Sequence, residues 1–129
     1  MASIFSKIVN GEIPSHKIAE NDDFLAFLDA FPIVLGHTLV IPKKEINYVF
    51  DLEDELYAKL FLFAKTLVPA IQKTVPCVKV GLSVIGLEVP HAHVHLLPIN
   101  SMKDADFGNK LKISQEELAD LAEKIRKNL

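Results

Sequence analysis

The sequence predicts an α+β fold, a five-stranded antiparallel sheet with two main helices, within one domain spanning residues 1–129. Three observations carry this. Short β-rich segments recur between turn residues. Only two stretches show sustained helical spacing of apolar residues. And the run Pro90–Ile99, PHAHVHLLPI, alternates histidine with apolar residues at the period of a strand.

The elements follow in order. Ser3 can cap a short helix reaching about Asn10, with Gly11 placed as its C′ residue and Pro14 soon after. Lys17–Glu20 and Phe24–Leu28 read as strands joined by the turn Asn21-Asp22-Asp23. Pro32 and Gly36 bracket a loop, and His37–Ile41 forms the third strand, closed by Pro42. From Leu52 to Ile71, apolar residues at Leu52, Leu56, Leu60, Phe63, Leu67 and Ile71 keep helix spacing, and Pro69 should kink or shorten its end. Val78–Ile85 and His93–Ile99 supply two more strands around Gly86. Ser114-Gln-Glu-Glu117 resembles a capping box opening a last helix over about residues 114–127, with Leu118, Leu121, Ala122 and Ile125 on one face.

Composition narrows the function classes. Half the residues are hydrophobic, enough for a core, and the net charge of −3 argues against a non-specific nucleic-acid binder. A bound phosphate must therefore be held by local donors. The single cysteine, Cys77, excludes an intrachain disulfide and a cysteine-only metal site, which fits a reducing compartment. No run approaches the roughly 18 apolar residues of a membrane span. The opening MASIFSKIVNGEIPS lacks the apolar stretch of a signal peptide, so a soluble cytoplasmic protein without membrane contact is expected.

Three of the five histidines fall at His91, His93 and His95. On one strand their side chains would share a face, about 7 Å apart, with the opposite face left for the core. Three chemistries fit such a row. It could bind a metal, although neighbours in one row reach a common ion poorly without a ligand from elsewhere. It could attack phosphorus or carbonyl carbon through a neutral imidazole. Or it could be a His-rich solvent face. His37, in GHTLVIPKK, could bring a fourth ring to the same pocket.

HAHVHLL resembles the signature of the histidine triad (HIT) superfamily, and IFSKIVNGEIPS and LAFLDAFPIVLGHTLVIPKK (Leu25 to Lys44) resemble its nucleotide-binding branch. The similarity covers roughly residues 3–99 with matched order and spacing. It implies a homodimer that binds purine nucleotides or their conjugates and cleaves at the α-phosphate through a nucleotidyl-histidine intermediate, without a cofactor. The likeness makes the activity phosphoramidase-like or dinucleoside polyphosphate hydrolase-like. By the same resemblance His93 is the nucleophile, and His95 serves the phosphate oxygens and the leaving group. The His91 carbonyl fixes the nucleophile's tautomer, and His37 supports the site. Asp29 matches the carboxylate that takes the ribose hydroxyls. Phe5, Ile8, Ile13, Phe27 and Leu39 match the lining of the base and sugar pocket.

Three departures stand out. Several HIT proteins carry a structural zinc on a Cys-x-x-Cys pair and a histidine after the IPK segment. Here those places hold Ser3, Ser6 and Glu45, so no metal is expected. Many members have Gly-Gln just before the triad; this chain reads GLEVPH, with Leu87 and Glu88, and Ser83 is the candidate left for a phosphate contact. There is no Trp-containing tail. Leu87 and Glu88 keep a second reading open, a nucleotide-binding regulatory or scaffold protein with little catalysis. A metalloprotein using the triad itself is a third.

Overall fold

Ser3 starts the first helix, α1 (Ile4–Val9): its hydroxyl accepts the Ser6 N–H at 3.0 Å, and the chain leaves through Asn10 and Gly11, whose φ of 79° suits glycine. The computed structural model describes residues 2–129; Met1, the first residue of the expected domain, lies outside them. Five strands follow: β1 (Lys17–Glu20), β2 (Phe24–Leu28), β3 (Thr38–Pro42), β4 (Lys79–Ser83) and β5 (Val94–Ile99). All neighbours are antiparallel, in the order β1-β2-β3-β5-β4. The Asn21 carboxamide oxygen accepts the N–H groups of Asp23 and Phe24, making the β1–β2 turn.

Two long helices, α2 (Asp54–Thr74) and α3 (Gln115–Lys127), cover one face of the sheet. Leu60, Leu67 and Ile71 of α2 and Leu118 and Ile125 of α3 meet Phe24, Ala26, Val40, Val94 and Leu96 there, forming the main core. The expected capping box of α3 is present, with Ser114 and Glu117 satisfying each other's backbone N–H. The opposite face is buried too. Phe5 from α1 closes on Leu25, Phe27, Leu39 and Ile41, a second and smaller apolar cluster. Every residue of β2 and β3 is therefore buried. No helix among the described residues is long and apolar enough to cross a membrane.

Two expectations need correction. Pro69 does not shorten α2, which runs five residues beyond it to Thr74. Pro69 removes the hydrogen bond to the Lys65 carbonyl, but both residues lie on the exposed side, where water can take that carbonyl, while buried Leu67, Ala70 and Ile71 hold the helix to the sheet. The three histidines are also not one strand row. Pairing of β5 with β3 begins at Val94 (Val40↔Val94), so His91 and His93 lie before the strand. A tight turn, His91 N–H to Val89 carbonyl at 2.8 Å, and the bond from Ala92 N–H to the Ile46 carbonyl at 2.7 Å hold that approach out of the ladder. The rings end closer than a row would place them, His93 and His95 having centroids 4.9 Å apart.

Candidate active site

His37, His91, His93 and His95 are all buried, and they meet on the face of the sheet that carries the smaller cluster. Backbone groups decide where each ring keeps its proton, because a carbonyl can only accept and an amide N–H can only donate. The His91 carbonyl lies 2.7 Å from His93 Nδ1, so Nδ1 carries the proton and Nε2 keeps its lone pair. The Ile33 N–H points at His37 Nδ1 (3.2 Å), which puts the His37 proton on Nε2. That Nε2–H is given to His95 Nδ1 at 2.9 Å, leaving His95 with a free Nε2–H donor. The Pro42 carbonyl, 2.7 Å from His91 Nε2, takes its proton in the same way and leaves His91 Nδ1 to accept from the Ser3 hydroxyl at 2.8 Å.

Burial favours the neutral form of His37, His91 and His95. Desolvation pushes His95 down to about 3, helped by His37 beside it, and pushes His37 down to about 4 although the Asp29 carboxylate works the other way. Burial also lowers His91. The result is a lone pair on His93 beside a neutral donor on His95. That is a nucleophile next to a group able to hold a charged oxygen.

The candidate residues of the nucleoside end fall around these rings unevenly. Asp29 directly follows β2; its Oδ1 accepts the Phe31 N–H at 2.8 Å and its Oδ2 stands 3.5 Å from His37 Nε2. Phe5, Phe27 and Leu39 belong to the smaller cluster and Ile8 packs against it, whereas Ile13 is half-buried and joins neither cluster. The Phe5 ring meets the His93 ring edge-on, centroids 5.0 Å apart. Ser83 pairs with His95 in the β4–β5 ladder, which places it on the same face. Leu87 is 89% exposed.

Two groups invite a metal and neither suits one. Asp29, His37 and His95 each bring a ligand atom within 4.8 Å of the others. Coordination would need the lone pair of His37 Nε2, and the proton displaced to Nδ1 would then face the Ile33 N–H, donor against donor. The positions where the sequence resemblance leads one to look for zinc ligands hold Ser3, Ser6 and Glu45 beside His91 Nδ1. Hydroxyls and one carboxylate are not the thiolate and imidazole set of a structural zinc, and the donor atoms are already paired with one another. The Ser3 N–H and Ser6 hydroxyl hold the Glu45 carboxyl down to about 2.

Other contributors carried no readable signal. Ile33 acts through its backbone. Phe107, after a short 3-10 turn at Met102–Ala105, sets its ring edge-on to His95 with centroids 4.9 Å apart. The Leu111 N–H donates to the Pro32 carbonyl at 2.7 Å, tying this segment to the loop between Asp29 and His37. Between those two anchors stands Lys110, whose charge is felt by both His37 and His95. An aromatic inside the polar stretch DADFGNK was the only available hint.

Residues 10–102 match the HIT domain family. The chain belongs to the HIT family. HIT relatives share nearly the whole chain: protein hit of Bacillus subtilis is 35% identical, covering 98% of this chain and 93% of its own. The adenosine 5′-monophosphoramidase HNT1 of Saccharomyces cerevisiae is 34% identical, over 93% of this chain and 83% of its own. Among solved structures, a Hit-like protein from Bartonella henselae superposes with a TM-score of 0.85 at 30% identity, covering 98% of this chain and 96% of that one. The HIT fold thus extends beyond the matched domain, into α3.

Proposed function

We propose that this HIT protein hydrolyses purine nucleoside 5′-monophosphate conjugates at the α-phosphate through a nucleotidyl intermediate on His93. The observation that carries the reading is the 2.7 Å contact between His93 Nδ1 and the His91 carbonyl, which holds the ring proton on Nδ1 and leaves the lone pair on Nε2 for attack. The similarity to a phosphoramidase over most of the chain supports the same substrate class. In the first step His93 Nε2 bonds to phosphorus and the leaving group departs with the electron pair of the broken bond, an amine leaving group taking up a proton from solvent. The ring becomes cationic, and the Nδ1–H bond to the carbonyl strengthens as it does so. His95 Nε2–H holds a phosphoryl oxygen, and Ser83 is the neighbouring hydroxyl for another. Water then displaces His93 from phosphorus, loses a proton to solvent and releases the nucleoside monophosphate, and His93 returns to its neutral form with Nδ1 still protonated. Asp29 takes the ribose hydroxyls, while Phe5, Ile8, Ile13, Phe27 and Leu39 line the base and sugar slot.

A homodimer joined along β4 is part of the same proposal. β4 is an edge of the sheet, with Leu82 and Ile85 half exposed. An open groove of about 320 Å³ lies alongside, lined by Tyr48, Phe50, Tyr57, Phe61 and Ile85. We assign the protein to the cytoplasm, where the lone thiol of Cys77 stays reduced.

The test is incubation with adenosine 5′-phosphoramidate and with dinucleoside polyphosphates. AMP should be released, and rapid acid quench should trap a mass increment of one nucleotidyl group on the peptide holding His93. Turnover that survives His93→Ala would overturn the mechanism.

A further inference from the structure

His91 is held on three sides by groups with no part in nucleotide contact. The end of β3 and the segment after it bracket the ring: the Pro42 carbonyl takes the ring Nε2–H, and the Ile46 carbonyl takes the N–H of Ala92. Between those two points Glu45 reaches back to α1. Its Oε1 accepts the Ser3 N–H at 2.5 Å and the Ser6 hydroxyl at 2.7 Å. Ser3, so fixed, turns its own hydroxyl onto His91 Nδ1 at 2.8 Å, while the same oxygen caps α1 by accepting the Ser6 N–H. The chain of contacts ends on the nucleophile, because the His91 carbonyl orients His93 Nδ1–H. Phe5, on the helix that Ser3 caps, also bears on the His93 ring.

We propose that Ser3, Ser6 and Glu45 are positioning residues: a carboxylate–hydroxyl clamp, standing where relatives carry zinc, that fixes His91 and through it the tautomer and aim of His93. The proposal rests on the reading of His93 as the nucleophile. The clamp does the mechanical work of a metal with hydrogen bonds alone. It ties α1 to the β3 end, and it adds what a metal would supply differently, a donor for His91 Nδ1. With that donor gone, Nδ1 can compete for the ring proton. The Pro42 bond then loosens, and with it the carbonyl that faces His93.

Imidazole ¹⁵N spectra combined with kinetics on adenosine 5′-phosphoramidate test this in the full chain. In the wild type, His93 should show a protonated Nδ1 and a bare Nε2. Ser3→Gly removes the hydroxyl yet remains an acceptable N-cap, so the helix should persist. In Ser3→Gly and Glu45→Ala the His93 signals should shift toward a mixture of tautomers. kcat should fall about tenfold while KM changes less than about twofold, the scale seen when an orienting partner is lost. Ser3→Thr and Glu45→Gln keep the donor and the acceptor, and should retain the wild-type spectrum and rate. Unchanged His93 spectra and kcat in Ser3→Gly and Glu45→Ala would overturn the clamp. So would a lower melting temperature with the rate per folded molecule unaltered, or one zinc per wild-type chain that is lost in Ser3→Gly. Should the wild type release no nucleotide at all, the nucleophile reading fails, while the spectra still decide the clamp.

Discussion

His37 and His95 face each other Nε2 to Nδ1 at 2.9 Å, and the direction of that bond is dictated by the backbone N–H of Ile33 on the far side of His37. A proton held at one end of this line determines which nitrogen of His95 is offered to substrate. His37→Ala should therefore release His95 to both tautomers and lower kcat by about tenfold with little change in KM. His37→Gln, whose amide nitrogen can donate, should recover part of the loss. Steady-state kinetics on one substrate preparation checks both.

Acid should destabilise the fold through the same rings. His37 and His95 titrate near 4 and 3 in the folded chain, below their ordinary 6.5, so the unfolded chain binds protons first as pH falls. Their contribution is complete above about pH 6.5 and is lost progressively as pH drops toward 4, at about 1.4 kcal/mol per unit of difference for each ring. Urea denaturation from pH 7 to pH 4 should show that slope, and His95→Asn should flatten it.

Asp29 offers a contrast between two ligands. Its Oδ1 is engaged by the Phe31 N–H, which presents the carboxylate at the mouth of the site. Asp29→Asn should weaken AMP binding about tenfold or more, the scale of a hydrogen bond to a charged acceptor. The sugar lacking both hydroxyls, 2′,3′-dideoxy-AMP, should lose little. Calorimetry with both nucleotides would contradict the role if both fell equally.

Phe107 packs edge-on against His95 and the charge of Lys110 is felt there, beside the residue proposed to serve the leaving group. Lys110→Glu should raise KM for dinucleoside polyphosphates, whose leaving group is anionic, more than for a phosphoramidate, whose leaving group is ammonia. Raising the salt concentration should narrow the difference, since Lys110 is exposed. Phe107→Ala should open His95 to water and bring its titration closer to the ordinary histidine range, read by ¹H NMR.

Leu82, half exposed on edge strand β4, tests assembly. Leu82→Glu should convert a dimer to a monomer in sedimentation velocity, with the fold intact by circular dichroism.

The long helices were legible because burial of one face imposes a period on sequence, whereas Lys17–Glu20 and Phe24–Leu28 emerge as expected from the turn residues between them and the last helix from its Ser114 capping box. The histidines were legible as a set, but their geometry was not: alternation predicts a row, whereas backbone bonds at Val89 and Ile46 hold His91 and His93 before the strand. Ser3 was legible as a helix cap, but its link to Glu45, 42 positions away, was not, since nothing local says that a carboxylate will find an amide across the fold. Phe107 escaped for the same reason, its partner His95 lying beyond a turn in a stretch rich in polar residues. Pro69 misled because propensity weighs the lost hydrogen bond and not the buried neighbours that outvote it.

The smaller apolar cluster has a consequence for how the protein behaves when occupied. Leu25, Phe27, Leu39 and Ile41 are closed over by Phe5 on a helix of only six residues, far too short to persist by itself. A purine laid against that cluster would act as one more core side chain, delivered from solvent instead of encoded in the chain. Occupancy and the ordering of the N-terminal helix then become one equilibrium. Amides of residues 4–10 should exchange more slowly in step with ligand concentration, so that the protein reports its own saturation through the firmness of its first turn.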